Sequence, residues 1–392
     1  MPLTLRDLNR ATLARQLLLR REPLDVAGAV RRLVALQAQE PASPYLALWN
    51  RLAGFDPAGL DAAFAAGSLV KATLMRITLH VVHAGDHPAM RLAMRRTLRA
   101  SRLGDKRFAA TGLTPAEADA MVPELLAFAD RPRTAAELEA WIAERAPLSP
   151  KDVLRTMRSI APLRHAPTGG PWSFGPRPAY LAAPDTAPPA TADAPPAASG
   201  SAPPAGDADA CLRALVLRYL AAFGPASVLD VAQFAMVYRP QARAAFQALS
   251  GELERLEGPD GAELFDLPGA PRPDPDTPAP PRLMAMWDNV LLAYADRARV
   301  IPPAYRRLVI RANGDVLPTL LVDGHVAGVW RPAEGGIEAT AFHRLPEEAW
   351  HGLAVEAKEL LALLAGREPR VYGRYARWWG DLPAAEVRTL PG

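Results

Sequence analysis

The sequence predicts a mainly α-helical α+β protein with small β wings: three tandem winged helix-turn-helix units in a curved array, followed by a strand-rich C-terminal region. Two observations predict this fold. A pattern of helix, turn and helix followed by a candidate β-ribbon occurs three times, and after Pro281 alternating apolar residues replace the helical pattern. The length of 392 residues fits several domains better than one.

The first unit is expected at residues 1–110. Thr4 followed by Asp7 is a capping arrangement that predicts a helix start, and Asp25 predicts another. Further along, apolar and polar residues alternate as they do in a half-buried strand. The predicted elements are a helix to about Arg21, a helix from Val26 to about Gln37, a helix near 57–66 and a strand over 75–82.

The remaining boundaries follow from composition. A stretch rich in Pro, Ala and Ser cannot bury enough apolar surface to fold, and it predicts a linker. The second unit is predicted at 111–182, with helices within 114–147 and a ribbon near 163–182, and the linker at 183–206 follows it. The third unit is predicted at 207–270, with helices within 212–235 and a ribbon near 253–267. The α/β region at 281–392 is predicted to have strands within 282–294 and 315–332, a hairpin turn at 322–325 and a helix over 347–365.

Composition excludes several classes of protein. A single cysteine, Cys211, rules out an intramolecular disulfide and a thiolate metal cluster. The N-terminus lacks an apolar signal region, and no run of 18 apolar residues occurs, so we expect a cytoplasmic protein that does not span a membrane. No coiled-coil pattern is evident, so we expect a monomer. The sequence shows neither a phosphate loop nor a metal-ligand spacing, so we expect no cofactor and no metal.

The first candidate site is Gln37-Ala38-Gln39. Gln37 occupies a position that the apolar pattern of its predicted helix reserves for the core. The two amides converge only if the helix ends near Gln37, which Pro41 favours by disfavouring helix just before it. One interpretation is that both amides cap a helix C-terminus and tie down the loop; the other is that they form a polar site.

The second candidate is a basic helix face. Residues 91–107 hold seven basic residues and one acid, a net charge of +6 within a chain whose total is +3, so the rest carries −3. Five of them fall within one arc of a helix: Arg91, Arg95, Arg99, Arg102 and Lys106. The face is either simply solvated or contacts phosphates; we favour phosphate contact, because such charge density along one face tracks a nucleic-acid backbone.

Two further sets of polar residues stand out. Arg76, Thr78 and His80 share one face of the predicted strand, which either lines a cleft or meets water. Asp288, Asp296 and Arg297 flank a strongly apolar run, and we expect a structural ion pair there, with a role in a site as the alternative.

Taken together, these segments resemble the bacterial DNA glycosylases built from tandem winged helices, which unhook crosslinks and excise alkylated purines. The resemblance spans essentially the whole chain. It rests on TLRDLNRATLARQLLL, LVALQAQEPASPYLALWNRL, LMRITLHVV, LMAMWDNVLLAYADRARVIPP and TLLVDGHVAGVWR. In that family a Gln-apolar-Gln or Gln-apolar-Asp motif supplies the catalytic residues, and Gln37, Ala38 and Gln39 match the first form. The long Pro/Ala segment at 183–206 departs from the family pattern.

The resemblance implies a monofunctional glycosylase that hydrolyses the N-glycosidic bond of N7-alkylated purines or of crosslinks derived from them, with a water held by the glutamines. Its partner is then double-stranded DNA carrying these lesions. The candidate DNA contacts, taken from the residue patterns above, are Arg76, His80 and the five basic residues of the helix face. No metal or nucleotide cofactor is implied. The alternative is a non-enzymatic winged-helix DNA-binding protein, either a transcriptional regulator or a lesion binder.

Overall fold

The computed structural model describes residues 2–146, 148–183 and 207–391. Apart from Ala183, the predicted linker at 183–206 lies outside the described residues. The chain forms two compact units. Unit 1 comprises residues 1–57, 220–230 and 252–392, and unit 2 comprises residues 58–219 and 231–251.

The described residues form the following α-helices: α1 (Leu5–Arg15), α2 (Val26–Arg32), α3 (Ser43–Trp49), α4 (Pro57–Ala66), α5 (His87–Leu103), α6 (Lys106–Ala109), α7 (Pro115–Phe128), α8 (Ala135–Ala143), α9 (Pro150–Ile160), α10 (Ala208–Phe223), α11 (Val228–Ala235), α12 (Arg239–Ala248), α13 (Arg306–Val309) and α14 (Glu347–Ala365). Over the same residues the strands are β1 (Leu36–Gln37), β2 (Leu69–Thr73), β3 (Leu79–His83), β4 (Arg133–Thr134), β5 (Leu163–Ala166), β6 (Ala179–Ala182), β7 (Glu254–Glu257), β8 (Glu263–Asp266), β9 (Arg282–Leu283), β10 (Thr319–Val322), β11 (His325–Ala333), β12 (Gly336–Ala341) and β13 (Glu386–Leu390). None of these helices is both long and apolar enough to cross a membrane.

Helix α1 begins where the sequence predicts and ends earlier. Thr4 and Asp7 form the expected capping box, in which each side chain accepts a hydrogen bond from the other residue's backbone N–H. The helix ends at Arg15 rather than near Arg21, because Leu17 adopts a left-handed backbone conformation (φ 57°) and is buried. The prediction of a helix to Arg21 was therefore wrong.

Helix α2 shows the same pattern. Asp25 caps its start as predicted, by accepting a hydrogen bond from the Gly28 N–H at 2.8 Å. The helix ends at Arg32, and not near Gln37, because Val34 has φ 70° and residues 33–35 are all buried. A residue with this positive φ cannot continue a right-handed helix, so the chain leaves the helix and continues into β1.

The strand predicted over 75–82 is a turn and a strand. Strands β2 and β3 pair in an antiparallel hairpin, with Thr73 opposite Leu79. Residues 75–77 form a 3₁₀ turn between them, in which Arg76 has φ 53°. Arg76 therefore does not share a strand face with His80, contrary to the sequence-based expectation.

The second predicted segment follows its expected order in unit 2. Helices α7 and α8 begin at capping boxes formed by Thr114 with Glu117 and by Thr134 with Glu137. Strands β5 and β6 form the antiparallel ribbon predicted near 163–182, and β4 pairs with β6. Within this unit the strands are ordered β3-β2-β5-β6-β4.

The third predicted segment contains α10 and α11, followed by α12 and then by the ribbon of β7 and β8. In unit 1 the C-terminal sheet has the order β13-β12-β11-β10-β9, and α14 packs against it. The hairpin turn at 322–325 and the helix over 347–365 are confirmed. The strand predicted over 282–294 was wrong beyond Leu283, because Trp287 has φ 55° and the chain then enters a 3₁₀ turn.

Candidate active site

The Gln37-Ala38-Gln39 motif lies in unit 1, at the end of a two-residue strand. Gln37 is the last residue of β1 and is 5% exposed, whereas Gln39, two residues further on, is exposed. Both glutamines stand beyond helix α2, in an irregular segment that runs on to α3. The motif thus combines one carboxamide held in the protein interior with one that meets solvent.

The backbone just before the motif is held by the segment that follows β9. The buried Asn289 side chain donates a hydrogen bond from Nδ2 to the Ala35 carbonyl oxygen at 2.8 Å. Its neighbour Asp288 accepts from both terminal nitrogens of Arg51, at 2.7 and 2.8 Å, and both side chains are about 1% exposed. Arg51 also donates to the Ala47 carbonyl oxygen of α3 at 2.9 Å. This pair confirms a structural ion pair for Asp288, while Asp296 accepts from the Ala298 backbone N–H.

The side chains just after the motif are held by the segment that follows α14. Glu40 forms an ion pair with Arg374 and accepts a hydrogen bond from the Tyr375 hydroxyl at 3.1 Å. The Ser43 and Tyr372 hydroxyls lie 3.0 Å apart. Burial, with the nearby Glu40 carboxylate, raises the pKa of Tyr375 well above its usual value, and burial does the same for Tyr372. Both phenols are therefore protonated at neutral pH.

Residues 35–43 are thus fixed at both ends by two distant parts of unit 1. Sequence reasoning missed the residues that do this: Asn289, Tyr372, Arg374 and Tyr375. The sequence did offer a clue to Asn289, because the Trp-Asp-Asn run lies in a segment that carries the family resemblance. For the other three, the printed sequence shows only an aromatic and arginine-rich stretch near the C-terminus.

The predicted residues Arg76 and His80 lie in unit 2 and contact each other. His80 is fully buried, and its Nδ1 lies 3.1 Å from the Thr78 carbonyl oxygen, to which it donates. Its Nε2 therefore accepts from Arg76 Nη2 at 3.2 Å. Burial, and then Arg76, lower the pKa of His80 well below its usual value, so the ring is neutral. Of the two alternatives for this strand face, a cleft or water, exposure of His80 to water is wrong.

The predicted basic face divides between two helices of unit 2. Helix α5 ends at Leu103, so Lys106 lies on the separate helix α6 and not on the same face. Three of the arginines have partners within the unit, while Arg95 and Lys106 are exposed. Arg91 donates to the Ile160 carbonyl oxygen at 3.1 Å, Arg99 holds the Asp119 carboxylate at 2.6 and 2.7 Å, and Arg102 donates to the Ser159 hydroxyl at 3.2 Å.

No group of three His, Cys, Asp or Glu side chains placed to hold a metal ion occurs among residues 2–146, 148–183 and 207–391. His87, at the start of α5, is buried, and burial together with Arg91 and Arg164 lowers its pKa to about 3.

Comparisons with known proteins bear on what this arrangement does. Residues 30–363, which include the glutamine motif and most of both units, match the family model described as DNA glycosylase AlkZ-like. The chain belongs to the AlkZ-like DNA glycosylase family. This membership makes the protein an enzyme, and it decides against the non-enzymatic alternative.

A relative and a solved structure each match this AlkZ-like family member over most of its length. It is 26% identical over 363 residues to the interstrand DNA cross-link repair glycosylase of Streptomyces sahachiroi, a match that covers 86% of this chain and 90% of the relative. The solved structure of Streptomyces sahachiroi DNA glycosylase AlkZ superposes with a TM-score of 0.76 at 23% identity, covering 94% of this chain and 98% of that one. The mixed helix and sheet fold of AlkZ is therefore shared.

Proposed function

We propose that this DNA glycosylase hydrolyses the N-glycosidic bond of N7-alkylated purines, and of the interstrand crosslinks derived from them, with a water positioned by Gln37 and Gln39. Support comes from the Streptomyces sahachiroi relative, which is named an interstrand DNA cross-link repair glycosylase. The observation that carries the proposal is the Gln-Ala-Gln motif itself, held on a segment anchored at the Ala35 backbone before it and at the Glu40 side chain after it.

The chemistry suits neutral amides. An N7-alkylated purine is already cationic, so its base leaves as a neutral molecule when the bond from C1′ to N9 breaks, and no acid is needed to protonate it. The water oxygen bonds to C1′, and the proton that water loses passes to solvent. What the protein supplies is the position of the water on the sugar face, which a carboxamide oxygen gives by accepting a hydrogen bond.

The two glutamines differ in a way that suits a division of roles. Gln37 is buried, so its carboxamide is confined and suited to hold the water in one orientation. Gln39 is exposed, so it can reach the sugar or complete the water's hydrogen bonds. A carboxylate would stabilise a cationic transition state more strongly than an amide, so a Gln/Gln site favours labile, already activated lesions.

We also propose that the fold presents DNA with three winged helices at 1–110, 111–182 and 207–270. In support, residues 115–182 run helix, strand, helix, helix and ribbon, in the order α7-β4-α8-α9-β5-β6. The third region repeats this order, with an isolated antiparallel bridge between Ala226 and Phe265 in the place of the first strand. Of the predicted DNA contacts, exposure favours Arg95 and Lys106 most.

The experiment is base release from duplex DNA that carries a single N7-methylguanine, and from DNA crosslinked by a nitrogen mustard. We expect release by the wild-type protein, and a loss of about 10²-fold in Gln37→Ala and Gln39→Ala, the typical effect of misplacing a reacting group by about 1 Å. Gln247→Ala, at an exposed glutamine of α12, is the matched control and should release base normally. Absence of release by the wild type, or equal release by all four proteins, would contradict the proposal.

A further inference from the structure

A second basic stretch lies outside the predicted DNA-facing residues. Residues 297–311 of unit 1 contain five arginines and no acidic residue. They occupy the connection before β10, which includes a 3₁₀ turn at Pro303–Tyr305 and the short helix α13. Of these five arginines, only Arg297 stood out in the sequence, as a candidate for a structural ion pair.

Its arginines fall into two groups. Arg299 is buried, donates to the Pro225 carbonyl oxygen at 2.9 Å and lies over the Tyr294 ring, so it is part of the core. Arg311 lies over the Trp378 ring. Arg306 and Arg307, by contrast, are exposed, and within the described part of the chain neither is in a salt bridge with a carboxylate. Two neighbouring cations are thus exposed without a salt-bridge partner among the described residues.

Beside these cations lies an ordered aromatic surface. The Tyr305 and His343 rings are nearly parallel, at 7° with centroids 5.9 Å apart. The Tyr305 hydroxyl lies 3.1 Å from His343 Nδ1, and Phe342 contacts Tyr305 from a different angle, at 5.0 Å between centroids. His343 is exposed and Tyr305 is half-buried, so both residues are held by ring contacts and remain at least partly accessible to solvent. Arg344, next to His343, is exposed as well.

We propose that Tyr305, Arg306, Arg307 and His343 form a binding site for single-stranded DNA. Cations that lack a protein partner pair with phosphates, and exposed rings stack on bases, the combination with which proteins bind unpaired strands. Duplex DNA would satisfy the arginines but keep its bases away from the rings, and an acidic peptide would likewise leave the rings unused. The inference rests on the proposed action on damaged DNA. It assigns binding of the unpaired strand to residues other than those of the glutamine motif.

The test uses the full-length protein and an undamaged oligothymidylate of about 16 nucleotides, near the upper end of typical single-strand site sizes, with a duplex of the same length alongside. Affinities come from fluorescence anisotropy over a series of salt concentrations. Tyr305→Ala should weaken binding of the oligothymidylate about tenfold, the order of one lost stacking contact, and should leave duplex affinity unchanged. Tyr305→Phe keeps the ring and should bind nearly as the wild type does.

The double variant Arg306→Gln with Arg307→Gln tests the phosphate contacts. Its slope of log affinity against log salt for the oligothymidylate should fall by about 1.4, since each phosphate contact on a single strand contributes about 0.7. Arg131→Ala, at an exposed arginine between α7 and α8 of unit 2, is the control and should change neither slope nor affinity. All substituted positions are at least partly exposed, and thermal unfolding checks that each variant is folded.

The proposal is overturned if Tyr305→Ala binds the oligothymidylate as the wild type does, if it weakens duplex binding equally, or if Arg131→Ala loses as much as the double variant. Its failure is separable from that of the proposed function, because the oligothymidylate carries no lesion. If the strand-binding prediction fails and base release still depends on Gln37 and Gln39, only the single-strand site is ruled out. If strand binding behaves as predicted and base release does not depend on the glutamines, only the glycosylase mechanism is ruled out.

Discussion

Residues 35–43 of unit 1 and helix α5 of unit 2 differ in what the fold does with their polar groups. Around the glutamine motif, contacts from distant segments hold the flanking residues, through the Ala35 carbonyl oxygen on one side and the Glu40 carboxylate on the other. On α5, contacts from the same unit hold the side chains themselves, as Asp119 holds Arg99. Beside the motif it is the flanking residues that are held, whereas on α5 the guanidinium that would meet a phosphate is itself held by a carboxylate.

This difference shows that a count of charged residues along the sequence does not predict which of them are available to a ligand. The net charge of +6 over residues 91–107 is a correct count, but it says nothing about which partners the fold brings to each arginine. The arginines at 306 and 307 attract no notice as a pattern, yet they keep their charges unpaired among the described residues. The four predictions below probe this contrast between the two regions.

The largest expected effect concerns the two ion pairs. Arg51 and Asp288, beside the motif, are buried, so Asp288→Ala leaves a buried cation without its partner and should lower the free energy of unfolding by about 3–5 kcal/mol. Arg99 and Asp119 are partly exposed, with side chains 31% and 45% accessible, so solvent screens the pair and Asp119→Ala should cost only about 0.2–1 kcal/mol. Urea unfolding of both variants measures the two values, and equal losses would contradict the contrast.

The next effect concerns the anchor of the motif. Asn289→Ala removes the donor that Nδ2 offers to the Ala35 carbonyl oxygen, which should cost about 1–3 kcal/mol of stability. Because the backbone before Gln37 is then less constrained, single-turnover base release should fall more than DNA affinity does. Asn313→Ala, at an exposed asparagine, serves as the control. A variant with reduced stability and an unchanged rate of release would make Asn289 purely structural.

A third effect concerns His87 at the start of α5. Its pKa is lowered to about 3 in the folded protein, while an unfolded chain titrates near the ordinary value of about 6.5. Between these values the unfolded state binds one more proton, so stability is fully present above pH 6.5 and falls as the pH drops, by about 1.4 kcal/mol per pH unit. Urea unfolding between pH 6 and 5 should show a shallower pH dependence in His87→Gln, and an unchanged dependence would contradict the assignment.

The smallest effect concerns two arginines of α5. Arg95 is exposed, so Arg95→Ala should reduce the salt slope of duplex binding by about 0.9, the value of one phosphate contact on B-form DNA. Arg99→Ala should reduce it by less, because Asp119 holds that guanidinium. Anisotropy titrations over a range of salt concentrations measure both slopes. A larger loss for Arg99 than for Arg95 would show that its ion pair opens on DNA.

Much of the fold could be predicted because it depends on local chemistry. Helix starts at Thr4, Asp25 and Thr114 follow from side chains that accept a nearby backbone N–H, and the turn at 322–325 follows from Asp-Gly. Helix ends were predicted poorly, since they are set by residues such as Leu17 and Val34, whose left-handed backbone conformation accompanies burial in a core that the sequence does not display.

The candidate site divides in the same way. The Gln-Ala-Gln motif could be found because a core position occupied by an amide stands out and because a family resemblance pointed to it. Its anchors at Asn289 and Tyr375 lie about 250 and 340 residues further along the chain, and only the tertiary fold brings them to the motif. Burial of His80, which removes it from solvent, is likewise a property of packing.

The most direct test of the central claim is a comparison of rate and affinity in Gln37→Ala, Gln39→Ala and the double variant, on a duplex with one N7-methylguanine. If both amides position one water, single-turnover release falls about 10²-fold in each single variant while the dissociation constant changes less than about twofold. The double variant then loses little more than the worse single variant, because the residues act as a unit. Undiminished release, or a loss found entirely in the dissociation constant, would contradict the account.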